Sequence, residues 1–188
     1  MVIQEKKSQT YSERNEAKRE QFLDKLKNIS PSTIVYVDES GMNDNDFYPY
    51  AYSCKGKRFY EAHPGHYKKR LSMIGGLCKD QFQAPFIFEG HCNTQVFEAY
   101  VANILVPSLQ PGTTVIIDNA SFHRSSKIQT LIESANCRLL FLPPYSPDLN
   151  PIEKWWHKIK NSIRKLRRAS ELNLEDAMGE VLSILSTD

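Results

Sequence analysis

No stretch of this 188-residue chain comes near the roughly 18 consecutive apolar residues that a membrane-crossing helix needs, so no span is expected. An export signal is missing too, because Met1–Asn28 is charged and has no apolar stretch. Cysteine is scarce: Cys54, Cys78, Cys92 and Cys137 form no CxxC pair, and each lies in or beside an apolar segment. Reduced, mostly buried thiols in a cytosol-like compartment are expected. His63, His66 and His91 lie near Cys54, Cys78 and Cys92 in sequence, but no two have structural-zinc spacing, which argues against zinc. Internal repeats, low-complexity tracts and linker-like stretches are absent as well, so the length fits one domain with a real core.

Lys and Arg are also absent from Ala169 onward, where Glu171, Glu175, Asp176, Glu180 and Asp188 make the tail acidic. The net charge of +2 therefore hides an uneven distribution, with Lys154, Lys158, Lys160, Arg164, Lys165, Arg167 and Arg168 crowded into one segment. Such a block suggests a polyanionic partner; a solvated helix face is the alternative.

The regular elements are spaced as in an α/β domain. Met1–Asn28 reads as a charged helix lying on the domain, with Phe22, Leu26 and Ile29 docking one turn, and Pro31 ends it. Thr33–Val37 is a short β-rich run ending at Asp38. Tyr50–Ser53 and Arg58–Glu61 flank a Lys55-Gly56-Lys57 turn as a hairpin, and Pro64-Gly65 marks a second turn. Strands are expected at Arg70–Leu77, Phe82–Phe88, Thr113–Ile117 and Arg138–Leu142. Helices are expected at Thr94–Val106 (stopping before Pro107), Ser126–Ser134, Pro151 to about Arg168, and Leu174–Leu185. Antiparallel strands followed by alternating helices and strands indicate a mixed sheet covered by helices.

Three separated carboxylates stand at the ends of these elements. Asp38 and Asp118 each follow a run of β-branched or aromatic residues, and ligands gather beyond the carboxyl ends of strands in such sheets. Alternatively, each Asp merely opens a turn. Glu153 follows Asn150-Pro151-Ile152, which reads as a capping box with Asn150 as the cap. At 100° per residue, Ile152, Trp155, Trp156, Ile159, Ile163 and Leu166 form the core-facing stripe, which puts Glu153 on its border. His157, Lys160, Arg164 and Arg168 continue along that flank as a basic ridge that could track a phosphate backbone, or as a solvated face with a Glu153–His157 pair. Glu39 should point to the sheet face opposite Asp38. Clustered carboxylates repel one another without a cation. Mg²⁺, a hard ion with oxygen ligands, suits them, and two such ions about 4 Å apart can serve in-line displacement at phosphorus.

Three segments then carry a specific resemblance: Asp38-Glu39-Ser40-Gly41, Asp118-Asn119-Ala120-Ser121-Phe122-His123, and Leu142 through Glu153 (LPPYSPDLNPIE) with Trp156 and Lys160 beyond. Over roughly Thr33 to Arg168 the chain resembles the catalytic domain of a mariner-related bacterial insertion-sequence transposase of the DDE superfamily. Thirty-four residues separate Asp118 from Glu153, a spacing such transposases use. The resemblance implies a ribonuclease-H-like fold with a mixed five-stranded sheet, Asp38 on the first strand, Asp118 on the fourth and Glu153 on a helix after the last. It implies Asp38, Asp118 and Glu153 as catalytic metal ligands for Mg²⁺, replaceable by Mn²⁺. Asn119 and His123 would be auxiliary groups orienting phosphate or water, and Asp148 would shape the loop before the helix. It further implies DNA as partner (transposon ends and target), a homodimer, and a bacterial cytoplasmic, nucleoid-associated setting. Nothing before Asp38 reads as a helix-turn-helix. An extension at 1–30 and a catalytic domain at 31–188 are therefore expected, with end recognition left to a separate protein or reading frame. Two rivals stay open: a non-catalytic DNA-binding or regulatory transposase remnant, and a structure-selective nuclease of the same fold.

Overall fold

The computed structural model describes residues 14–44, 53–58, 60 and 69–186. Its centre is a five-stranded sheet built from β1 (Ile34–Asn43), β2 (Arg70–Cys78), β3 (Gln81–Glu89), β4 (Thr114–Ile117) and β5 (Arg138–Phe141), in the order β3-β2-β1-β4-β5. The first three strands pair antiparallel, while β4 lies parallel to β1 and β5 parallel to β4. The helices are α1 (Glu16–Lys27), α2 (Thr94–Tyr100), α3 (Val106–Ser108), α4 (Ser126–Ser134), α5 (Ile152–Ala169) and α6 (Leu174–Leu185). No helix among the described residues is long and apolar enough to cross a membrane.

Alternation along β1 sorts the two faces. Val35 and Val37 join Ile74, Val115 and Ile117 under α2 and α4, where Phe97, Leu105, Ile128 and Ile132 close the core. Met42, Leu71, Met73 and Phe82 pack on the other face against Ile152, Trp156, Ile159 and Ile163 of α5 and against α6. α1 is docked by Phe22 on Ile34, Ile116 and Leu142, with Leu26 and Ile29 beside them, as the sequence implied. Asn15 caps α1 by accepting from the Lys18 N–H at 3.0 Å. The buried Arg19 then reaches the loop before α5, donating twice to Asp148 at 3.0 and 2.7 Å. Asp148 thus shapes that loop by anchoring it to α1.

Several expectations need correction. Asp38 does not end its strand: β1 continues to Asn43, because β2 pairs with it along the whole stretch Tyr36–Asn43. What ends near Asp38 is the parallel partner β4, at Ile117. The helix from Thr94 does not stop before Pro107. A π-helical turn at Val101–Leu105 carries it into α3, which takes in Pro107 before the helix ends at Ser108. The thiols are free but not mostly buried: Cys137 is buried, Cys78 and Cys92 are half-buried and Cys54 is exposed. Of the expected hairpin, the turn at Lys55–Gly56 is present, with Lys57 N–H donating to the Cys54 carbonyl at 2.9 Å and Gly56 at φ +86°. Its arms and the Pro64-Gly65 turn lie largely or wholly outside the described residues.

A candidate carboxylate cleft

The register of β1 with β4 runs Ile34 to Thr114, Val35 to Val115 and Tyr36 to Ile116. Continued by two residues, it sets Asp38 level with Asp118, one strand spacing of about 4.8 Å away. Asp38 faces α5, whose Trp156 donates to it. Glu153, in the first turn of α5, completes the rim. Asp38, Asp118 and Glu153 line one open cleft of about 550 Å³, together with Asn119, Arg124, Tyr145 and Asn150. Among the described residues, however, no three of His, Cys, Asp and Glu are already gathered tightly enough to hold one ion.

Asp38 is held by three N–H groups. Its Oδ2 accepts from the Trp156 indole Nε1 and the Asn150 Nδ2, each at 3.2 Å, and its Oδ1 accepts from the Glu39 backbone at 2.9 Å. Burial pushes its pKa up to about 7. The negative charge of Glu39 adds to the rise, as do Glu153 and Asp118, and the Glu39 N–H opposes it. Asp118 moves the other way. Burial would raise it, but hydrogen bonds from His123 and the Ala120 N–H outweigh that and hold it below the ordinary value. His123 is completely buried, with Nδ1 2.5 Å from Asp118 Oδ1 and Nε2 3.4 Å from Glu39 Oε2. Burial would lower its pKa, yet the bonds to Asp118 and Glu39 lift it to about 9, so the ring is an imidazolium at neutral pH. Phe97 and Phe122 flank the ring at centroid distances of 4.1 and 4.2 Å.

These contacts revise the reading of individual residues. Asn150 is not the side-chain cap of α5. Its Nδ2 turns into the cleft and donates to Asp38, while its Oδ1 is buried and makes no bond to the helix N–H groups. Glu153 has no side-chain hydrogen bond among the described residues, so the capping-box account of it falls. Glu39 does lie on the opposite face, against His123. His123 bonds to Asp118 rather than facing the cleft, and Asn119 is pinned by Arg124, whose Nε donates to Asn119 Oδ1 at 2.9 Å. Of the basic ridge, His157 and Arg168 are exposed, and Lys160 and Arg164 are half-buried. His157 bonds Asn161 at 2.9 Å rather than Glu153. None of the four lines the cleft; they extend from it along α5.

Sequence reasoning missed Arg124, Trp156 and Asn150 as parts of this site. Trp156 was accounted for by the apolar stripe, which explains its burial but not the direction of its N–H. The only available signal was that Asn150 lies in, and Trp156 just beyond, the Leu142–Glu153 motif.

A mixed five-stranded sheet with an acidic cleft where its parallel strands part defines the ribonuclease-H-like class of fold. Within that class the chain belongs to the family of DDE superfamily endonucleases, which matches residues 33–173. Over 92 residues it is 28% identical to the uncharacterized protein y4pE/y4sA of Sinorhizobium fredii (strain NBRC 101917 / NGR234), a match spanning 48% of this chain and 65% of that protein. Its fold is similar to the Mos1 mariner paired end complex with Mn, at a TM-score of 0.64 and 18% identity over 98% of this chain and 64% of that one. The catalytic domain of Mos1 mariner transposase is similar at a TM-score of 0.61 and 16% identity, over 90% of this chain and 78% of that one. The chain thus spans less than two thirds of the S. fredii protein and of the Mos1 chain in the Mn complex.

Proposed function

We propose that this chain is the catalytic domain of a DNA transposase, a metal-dependent endonuclease and strand transferase that cuts at transposon ends and joins the freed 3′-hydroxyl to target DNA. The observation that carries the proposal is the meeting of Asp38, Asp118 and Glu153, from three separate elements, around one cleft in a chain of the DDE family. The donor set fits a hard divalent cation. All three side chains are oxygen donors, and Asp38 is a half-buried acid whose ionisation is opposed by desolvation and by the nearby Glu39 charge, which a cation would relieve. Asp38, Asp118 and Glu153 would hold Mg²⁺, or Mn²⁺ in its place. The chemistry a bound ion, or a pair of them, would supply is activation of the attacking oxygen and stabilisation of the leaving one.

The remaining steps belong to the chain's own groups. Trp156 and Asn150 fix Asp38 through Oδ2, and His123 fixes Asp118 through Oδ1, so neither acid must be ordered when substrate arrives. Arg124 stands on the cleft wall, where its guanidinium can meet a phosphate oxygen while Asn119 steadies it. No side chain is called upon for a covalent intermediate. His157, Lys160, Arg164 and Arg168 would follow the DNA backbone away from the cleft along α5. The Mos1 relative is a paired end complex, and two copies of the present chain are expected to bring two ends together.

Asp118→Asn provides the test. Nicking of a supercoiled plasmid carrying the element's ends, in Mg²⁺ or Mn²⁺, should fall below detection while the circular dichroism spectrum stays that of wild type. A variant that still nicks as wild type does would end the proposal. Binding without nicking by wild-type protein would favour the DNA-binding remnant.

A further inference from the structure

A second cavity of about 350 Å³ adjoins the carboxylate cleft, and Asn119, Leu142, Pro143 and Pro144 line both. The two form one continuous trough that runs from the acids, past Asn119, to α1. Its far wall is the α1 face made by Lys18, Gln21, Phe22 and Lys25, spaced i, i+3, i+4, i+7 as one side of a helix must be. Phe22 points down into the core and is buried, leaving Lys18, Gln21 and Lys25 exposed above it.

The sign of charge reverses along the trough. Asp38, Asp118 and Glu153 line the cleft, whereas no Asp or Glu lines the α1 end. Neighbouring cations of α1 are neutralised, Arg19 by Asp148 and Lys27 by Asp24 at 2.7 Å. Lys18 and Lys25 have no acidic partner among the described residues. Seven residues of helix place them about 10.5 Å apart, the axial rise of about three nucleotides of a duplex strand.

We propose that this α1 groove seats the sugar–phosphate backbone of the DNA strand whose reacting phosphate lies in the carboxylate cleft, with Lys18 and Lys25 each neutralising one phosphate roughly three nucleotides apart. The inference rests on the reading of the cleft as a DNA site. Charge complementarity and the shared wall select the occupant. A strand entering the acidic cleft must leave it along a surface that does not repel it, and the α1 end supplies that surface. Leu139, Phe141 and the two prolines give the groove an apolar floor on which sugars can lie. α1 then does more than brace the sheet: it sets the direction in which the strand departs.

The test is the salt dependence of DNA binding by the full chain in Mg²⁺, followed by fluorescence anisotropy of a short fluorescein-labelled duplex. Each phosphate neutralised contributes about −0.7 (single strand) to −0.9 (duplex) to the slope of log Kobs against log salt concentration. Lys18→Gln/Lys25→Gln should make the slope shallower by about 1.4 to 1.8. A charge-matched control away from the trough, Lys27→Gln/Lys79→Gln, should leave it near that of wild type. Both pairs are exposed, so circular dichroism should find both variants folded. Equal slopes for the groove variant and the control would overturn the groove while leaving the cleft proposal standing. Salt-independent or absent binding by wild type would bring down both.

Discussion

At the scale of single residues, the position of Asp38 depends on a glycine across the sheet. Gly75 pairs with Asp38 in β2, and a Cβ there would collide with the Phe82 ring. Phe82 lies edge-on to Trp156 at a centroid distance of 5.4 Å, and Trp156 donates to Asp38. Gly75→Ala should therefore cost about 1–3 kcal/mol through overpacking. It should also weaken Mn²⁺ binding, as read by calorimetry, although it touches no carboxylate. Trp156→Phe is the cleaner probe. It keeps an aromatic ring but removes the hydrogen bond to Asp38, so urea unfolding at pH 8, where Asp38 is ionised, should report a loss of about 1.5–3 kcal/mol, and Mn²⁺ affinity should drop. Unchanged stability together with unchanged Mn²⁺ affinity would refute the indole's part in holding Asp38. The three acids were legible from their motifs because each motif is local in the chain. The partners of Asp38 were not, since Trp156 and Asn150 are more than a hundred residues away.

At the scale of elements, α1 and the loop before α5 act as one joint. Arg19 is buried and forks onto Asp148, which is half exposed. Asp148→Asn should cost only about 1 kcal/mol overall, because solvent screens the exposed partner. Its local effect should be larger, with amide hydrogen exchange in residues 16–27 and 144–150 accelerating ahead of the sheet. Exchange that speeds up uniformly, or not at all, would argue against the joint. Helix periodicity revealed the face of α1 carrying Phe22 and Leu26, because apolar burial repeats every 3.6 residues. It could not reveal Arg19, since a buried cation looks like any other charge until its partner is found. β1 was read too short for a similar reason. Gly41 and the polar residues around it are poor strand formers alone, and only pairing with β2 along Tyr36–Asn43 keeps them extended.

At the scale of the whole molecule, the cleft makes stability depend on pH, and the proposed cation would add a dependence on metal. Asp38 is raised to about 7, against about 3.9 in an unfolded chain. Between those values the native state keeps a proton that the unfolded state has lost, so stability falls as pH rises through the window. His123, raised from 6.5 to about 9, contributes stability that is full below 6.5 and is lost as pH rises through about 9. Both groups make the metal-free chain less stable at pH 9 than at pH 6. Asp118, held low, contributes above the unfolded carboxylate range, and its contribution is lost in acid. A divalent cation held in the proposed site would bind the ionised Asp38, so the rise in Tm on adding Mn²⁺ should be greater at pH 8 than at pH 6. A rise that is equal at both, or larger at pH 6, would count against cation binding at Asp38. The sequence by itself determined the class of fold and the three acids, because hydrophobic periodicity and contiguous motifs are written locally. Only the tertiary structure decided how those acids are held, that Asn150 faces Asp38 rather than its own helix, and that α1 closes a trough with the cleft. Those are choices between competing partners for one polar group, and they are settled by which side chains the packed sheet brings within hydrogen-bonding distance.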